Sequence, residues 1–250
     1  DSNGYFFLNG NRTGYNYSGK LLNLIEPNKE DGYKYITFGN GPDQPLDFTR
    51  IRNQCFTVED CKVKANGYIK GDVASSAGDL GVITIADGEV VFDGGVIENI
   101  SSQSITPGVM VGVGVSGGAF VLNGGEIKAG DGIYTDGRSA DITVNGGKLG
   151  GYYGIYIRSQ CRGTVNITGG EINSKWVGLA VTSSYNPTVN ISGGSFTVDN
   201  NSPFSVLDLD GACTLNISGG TFTKTKEKRD VIDNKNGGTV INLSGSPVFD

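Results

Sequence analysis

One phrase recurs through the last two thirds of the chain and dictates what it can fold into. A short alternating run closes on a glycine pair as VVFDGG at Val90–Gly95, FVLNGG at Phe120–Gly125 and ITVNGG at Ile142–Gly147. It returns as VNITGG at Val165–Gly170, VNISGG at Val189–Gly194 and LNISGG at Leu215–Gly220, and a degenerate copy, INLSGS, spans Ile241–Ser246. The first glycine of each copy stands at 94, 124, 146, 169, 193, 219 and 245, so the spacing is 22 to 30 residues. A period of this size marks a solenoid, a propeller or an array. Four-stranded propeller blades need about 40 residues each, more than these intervals give. No copy holds an amphipathic helical stretch, which sets aside leucine-rich and ankyrin-like units.

Between glycine pairs, apolar and polar residues alternate, the signature of a strand with one buried face. Aligned on Gly-Gly, the copies give two apolar columns. One is Val90, Phe120, Ile142, Val165, Val189, Leu215, Ile241; the other is Phe92, Leu122, Val144, Ile167, Ile191, Ile217, Leu243. A third follows the glycines: Ile97, Ile127, Leu149, Ile172, Phe196, Phe222, Val248. A further strand precedes each phrase, as in Gly132-Ile-Tyr-Thr and Gly154-Ile-Tyr-Ile. These features predict an all-β, single-stranded parallel β-helix of about 7–8 rungs, with rungs ~4.8 Å apart. The crossover rule makes it right-handed. Glycine pairs turn the corners, where φ > 0 is needed. The first 80 residues are less regular, with strands predicted at Tyr5–Leu8, Leu21–Ile25 and Tyr33–Phe38. Solenoid ends need caps, so residues 1–50 are read as an irregular N-terminal cap and 51–250 as the β-helix domain.

Composition narrows the function classes. The net charge is −6 and no basic patch with interleaved aromatics stands out, so nucleic acid is not an expected partner. No apolar run approaches the ~18 residues of a spanning helix, so membrane insertion is not expected either. Histidine is absent, which removes the usual general base and the commonest metal ligand. Of the four cysteines, Cys55 and Cys61 are near enough in sequence to bridge. Cys161 and Cys213 fall two rungs apart, about 9.6 Å, beyond the ~7 Å reach of a disulfide. The sequons at Asn166, Asn190, Asn216 and Asn242 share one column. Glycans one rung apart would collide, so the sequons read as a by-product of the repeat.

Two outward faces offer chemistry. The first carries columns of Thr, Asn and Ser, among them Thr164, Thr188, Thr214 and the four asparagines, which suit hydrogen-bonded rows on an exposed sheet. The second carries bulkier groups. Tyr134 and Tyr156 should lie one rung apart, with Arg158 and Trp176 on the rungs beside them. Aromatic rings stack on sugars, and arginine offers directed hydrogen bonds to hydroxyls or uronates. These four are the candidate carbohydrate-binding residues. Asp208 and Asp210 point to one side of a strand, about 6.6 Å apart by strand rise, a spacing a glycosidase could use. Asp131, Asp136 and Asp141 stand close in sequence and supply the oxygen ligands that calcium takes, which makes them the candidate metal residues. No cofactor other than calcium is expected, and no residue is assigned a catalytic role.

The Thr-Val-Asn-Ile-Ser-Gly-Gly-x-Phe rungs resemble those of bacterial surface and secreted right-handed β-helix proteins, including a carbohydrate-binding family related in fold to pectate lyases. The resemblance covers residues 80–250 and rests on the repeat. It implies a secreted or cell-surface protein of bacterial type that holds a polysaccharide or surface glycan without catalysis, as an adhesin or binding module. The Asn-Thr-Asp, Asp-Asp and Gly-His-Gly motifs of polygalacturonases are absent. A polysaccharide lyase or glycoside hydrolase, and a structural spacer or phage or viral spike segment, stay open as alternatives.

Overall fold

The alternating runs are strands, and each pairs in parallel with its equivalent in the next copy. The computed structural model describes residues 31–50, 55–74, 80–101, 109–199, 203–224 and 230–250, with the strands Phe6–Asn9 and Leu22–Ile25 before them. The described residues are all β, without a helix, and wind into a parallel solenoid of about 7 turns.

Three sheets run along it. The first holds the strands before the glycine pairs, among them Ala140–Val144, Thr164–Ile167, Thr188–Ile191 and Thr214–Ile217. The second holds the strands after them, such as Ser195–Val198 and Thr221–Lys224. The third holds Gly81–Ile85, Val111–Val115, Asp131–Thr135 and Leu207–Leu209. Some strands run on through a corner. Cys61–Gly71 and Gly88–Asn99 serve the first and second sheets. Lys148–Ile157 and Glu171–Val181 serve the second and third.

The register is the one the repeat predicts. Phe120, Ile142, Val165, Val189 and Leu215 are in direct register and fully buried, and Ile241 packs against them from the last rung. Side chains of this size each gain about 1.5–3 kcal/mol on full burial. On the outer face of the same strands, Asn190 donates to Asn166 Oδ1 at 2.9 Å, Asn216 to Asn190 at 2.8 Å and Asn242 to Asn216 at 2.8 Å. A second ladder runs beside it: Asn123 donates to Asp93 at 2.8 Å, Asn145 to Asn123 at 2.9 Å and Thr168 to Asn145 at 2.8 Å. Each such bond contributes about 0.5–1.5 kcal/mol net. The amide nitrogens of Asn190, Asn216 and Asn242, where a glycan would attach, are thus spent on their neighbours.

At three places the structure departs from the sequence reading. Parallel register begins inside the segment read as a cap: Lys34–Phe38 and Leu46–Asp47 already pair with Cys61–Gly71 as a rung. The antiparallel pairing among the described strands is Leu22–Ile25 with Lys34–Phe38, which covers that end. The start was hidden because Phe38–Gly39 and Leu46 are separated by a turn rather than by Gly-Gly. At the other end, Phe249 and not Val248 continues the third column, stacked on Phe222 at 5.2 Å as Phe222 is on Phe196 at 4.8 Å. Gly-Ser-Pro replaces the glycine pair there, and the corner takes one more residue. Finally, Cys55 and Cys61 do not bridge. None of the four cysteines is in a disulfide, and Cys161 and Cys213 lie in the core, where burial pushes their thiols up.

Candidate functional site

The outer face of the third sheet gathers aromatic side chains. Its outward column reads Thr57, Thr84, Gly114, Tyr134, Tyr156, Ala180, Asp208, Asp233 from rung to rung. Tyr134 and Tyr156 are therefore one rung apart, as predicted, and their rings meet edge-on at 5.6 Å. Tyr156 also stacks on Tyr153 at 5.1 Å. Trp176 joins from the corner, 4.8 Å from Tyr152, 5.9 Å from Tyr153 and 5.9 Å from Phe204. The corner itself explains why Trp176 reaches out. Between Gly151 and Tyr153 one residue intervenes, whereas two, Lys175 and Trp176, intervene between their partners Ser174 and Val177. That extra residue is a bulge, and bulges re-aim side chains.

The result is a contiguous belt of six rings, with Val177 and Ala180 beneath it. Three of the four predicted sugar-binding residues are in the belt, and the fourth touches it: Arg158 Nη1 donates to the Tyr134 hydroxyl at 3.1 Å. Tyr134 itself is a correction. It is fully buried, so its ring face is not open to a ligand, and burial pushes its hydroxyl up to about 12. Its register partners are Gly114, which has no side chain, and Tyr156, whose ring covers it from the next rung. Tyr134 and Arg158 support the belt, while Tyr156, Tyr152 and Trp176 are half-buried and present ring surface. Phe204 was not legible as a member, since nothing in its local sequence sets it apart.

Asp208 and Asp210 do point to one side of the chain, but both are engaged there. Asp208 and Asp210 share one ammonium, Lys235 Nζ, at 2.9 and 3.0 Å, and Asp233 adds a third contact at 3.4 Å. Burial holds the Asp208 carboxyl above its ordinary value, with Lys235 opposing the shift. A carboxyl raised in this way binds its proton more tightly folded than unfolded, so its contribution to stability falls as pH rises above its ordinary value of 3.8. Lys235 limits that loss. Lys235→Met is expected to lower stability at pH 7 by about 1–2 kcal/mol, discounted for the partial exposure of the lysine. The deficit should narrow as the pH is lowered toward about 4. Thermal melts of both proteins at the two pH values check this, and a deficit independent of pH would assign the effect to packing.

Asp131, Asp136 and Asp141 do not come together. Asp131 opens the strand Asp131–Thr135 and Asp136 lies past its far end, at least about 13 Å of extended chain away. Asp141 is in the first sheet, exposed, and accepts from the Thr164 backbone amide at 2.7 Å. Among the described residues no group of three or more His, Cys, Asp or Glu is placed to hold a metal. The residues read as a calcium site therefore do not fit one ion.

Beside the belt, a cavity of about 360 Å³ opens at the corner of the second and third sheets, lined by Glu98, Ser101, Met110, Lys128, Tyr152 and Lys175 among others. Tyr152 belongs to both belt and cavity. The fold and its outer face thus define a parallel β-solenoid with an aromatic exterior strip. No known family model, curated protein or solved structure matches the chain.

Proposed function

We propose that the chain is a non-catalytic polysaccharide-binding solenoid, acting at a bacterial cell surface or after secretion. The observation that carries this reading is the contiguous six-ring belt on the outer face of the third sheet. Rings held in a row by mutual packing keep their geometry, so a sugar polymer can stack without ordering them first. An open face encloses little of its ligand, so binding is weak and depends on several rungs at once. The resemblance of the rungs to bacterial surface β-helix proteins supports the localisation. The capture of Asp208 and Asp210 by Lys235 supports binding over hydrolysis.

Trp176 is the sole tryptophan of the chain, so its emission reports on the belt without a label. Titration with a panel of soluble polysaccharides is expected to give a saturable emission shift with at least one of them, matched by retardation in a gel containing that polymer. Tyr156→Ala should weaken that binding roughly 2- to 10-fold, the worth of one ring contact of about 0.5–1.5 kcal/mol. Because Tyr156 packs against Tyr134 and Tyr153, its truncation should also lower the thermal midpoint by a few degrees. Emission and mobility unmoved by the whole panel would overturn the reading in favour of a spacer.

A further inference from the structure

We infer that the corner cavity is a subsite for an anionic sugar unit, one bearing a carboxylate or a sulfate ester; the inference rests on the polysaccharide reading above. Beside the cavity one position of the second sheet carries no side chain. In the second sheet Glu98, Lys128, Gly150 and Asn173 follow one another in register. Gly150 leaves that rung bare, and a Cβ there would come no closer to other atoms than 3.9 Å. The cavity, which Gly151 lines next to this position, lies between Lys128 on one side and the bulge that carries Lys175 on the other. The volume, about 360 Å³, is at the small end of ligand pockets, which run to about 1,000 Å³. It suits one or two sugar rings rather than a stretch of polymer.

Its lining favours an anion. Glu98 is held by Lys70 at 3.4 Å, and Lys128 by Glu126 at 3.2 Å. Lys175 makes no ion pair among the described residues, and its ammonium stands 5.2 Å from the centre of the Tyr152 ring. It is thus an available positive charge, oriented over a ring that also lines the cavity and touches the belt through Trp176. In a chain of net charge −6 such a charge is locally distinct. The Ser101 hydroxyl oxygen, also in the lining, is buried with no hydrogen-bond partner among the described residues. A sugar hydroxyl would satisfy it. Asn99 does not serve, since its amide is spent on the backbone of Val73 and Val111. A ring stacked near Tyr152, an acidic substituent at Lys175 and a hydroxyl at Ser101 together describe the ligand.

The test is a Trp176 emission titration with dextran, dextran sulfate and alginate, which separate neutral, sulfated and carboxylated sugars. The expected result is tighter binding of at least one anionic polymer than of dextran, weakened by added salt. The polymer that binds identifies sulfate or carboxylate. Lys175→Gln should weaken that binding about 2- to 5-fold, the worth of one partly exposed ion pair, and leave dextran unaffected. Lys148→Gln, which removes an exposed lysine paired with Glu171 outside the cavity, should have no effect. Equal binding of dextran and the anionic polymers, or anionic binding untouched by Lys175→Gln, would overturn the subsite and leave the belt reading standing. No response to any polymer would sink both.

Discussion

Replacing Ile191 by Asp should abolish the folded state, while the same replacement at the next residue, Ser192, should be tolerated. Ile191 is 1 % exposed and sits in the middle of an interior column, between Ile167 and Ile217 on the adjoining rungs. Truncating such a side chain to Ala alone removes about 2–5 kcal/mol. The carboxylate adds the desolvation of a charge with no partner, in a column built of aliphatic groups. The total exceeds the 4–5 kcal/mol that few single substitutions reach, and rivals the ~5–15 kcal/mol that holds a domain together. Ser192 points the other way and is exposed. Circular dichroism and thermal melts of the two variants check the pair. A folded Ile191→Asp protein, or a Ser192→Asp protein as damaged as its neighbour, would contradict the inward–outward register.

That register was legible because a repeat supplies its own alignment. Each of six glycine pairs fixed the phase of an alternating run, the degenerate seventh copy kept it, and the ladder from Asn166 to Asn242 follows from the same phase. Legibility failed where the punctuation changed. The rung at Lys34–Phe38 turns without Gly-Gly, and the last corner carries Gly-Ser-Pro, which moved Phe249 into the place expected of Val248. The outer face was legible only in part. Pairing of Tyr134 with Tyr156 followed from the repeat, but not the burial of Tyr134, which depends on how its neighbours cover it. Lys235 was missed because it lies one strand beyond the carboxylates it joins, in a segment without the repeat phrase. The calcium reading failed for the opposite reason. Asp131, Asp136 and Asp141 are near in sequence, but an extended strand carries its ends apart.

The corner glycines carry a sharper expectation, because two adjacent ones should behave oppositely. Gly95→Ala should lower stability by about 2–5 kcal/mol, and Gly94→Ala by less than about 1 kcal/mol. Gly95 has φ +105°, a conformation that strains any residue with a Cβ by about 1–2 kcal/mol. A Cβ there would also lie 1.9 Å from the Gly67 carbonyl oxygen of the preceding rung, so the corner must shift, as in an overpacked core. At Gly94 the backbone has no positive φ, and a Cβ would meet nothing within 4 Å. Yet every later copy keeps glycine at this first position, and there the reason is steric. A Cβ at Gly146, Gly169, Gly193 or Gly219 would lie 2.3–2.5 Å from a carbonyl oxygen of the rung before. Gly94 escapes because the register below it shifts between Ala65 and Asn66, which takes that carbonyl away. At about 2–4 °C per kcal/mol for a chain of this size, Gly95→Ala should melt roughly 5–15 °C below the parent protein and Gly94→Ala close to it. Equal midpoints for the two variants would mean that the corner yields to a methyl group, and that the second glycine of the phrase is not set by the stacking of one rung on the next.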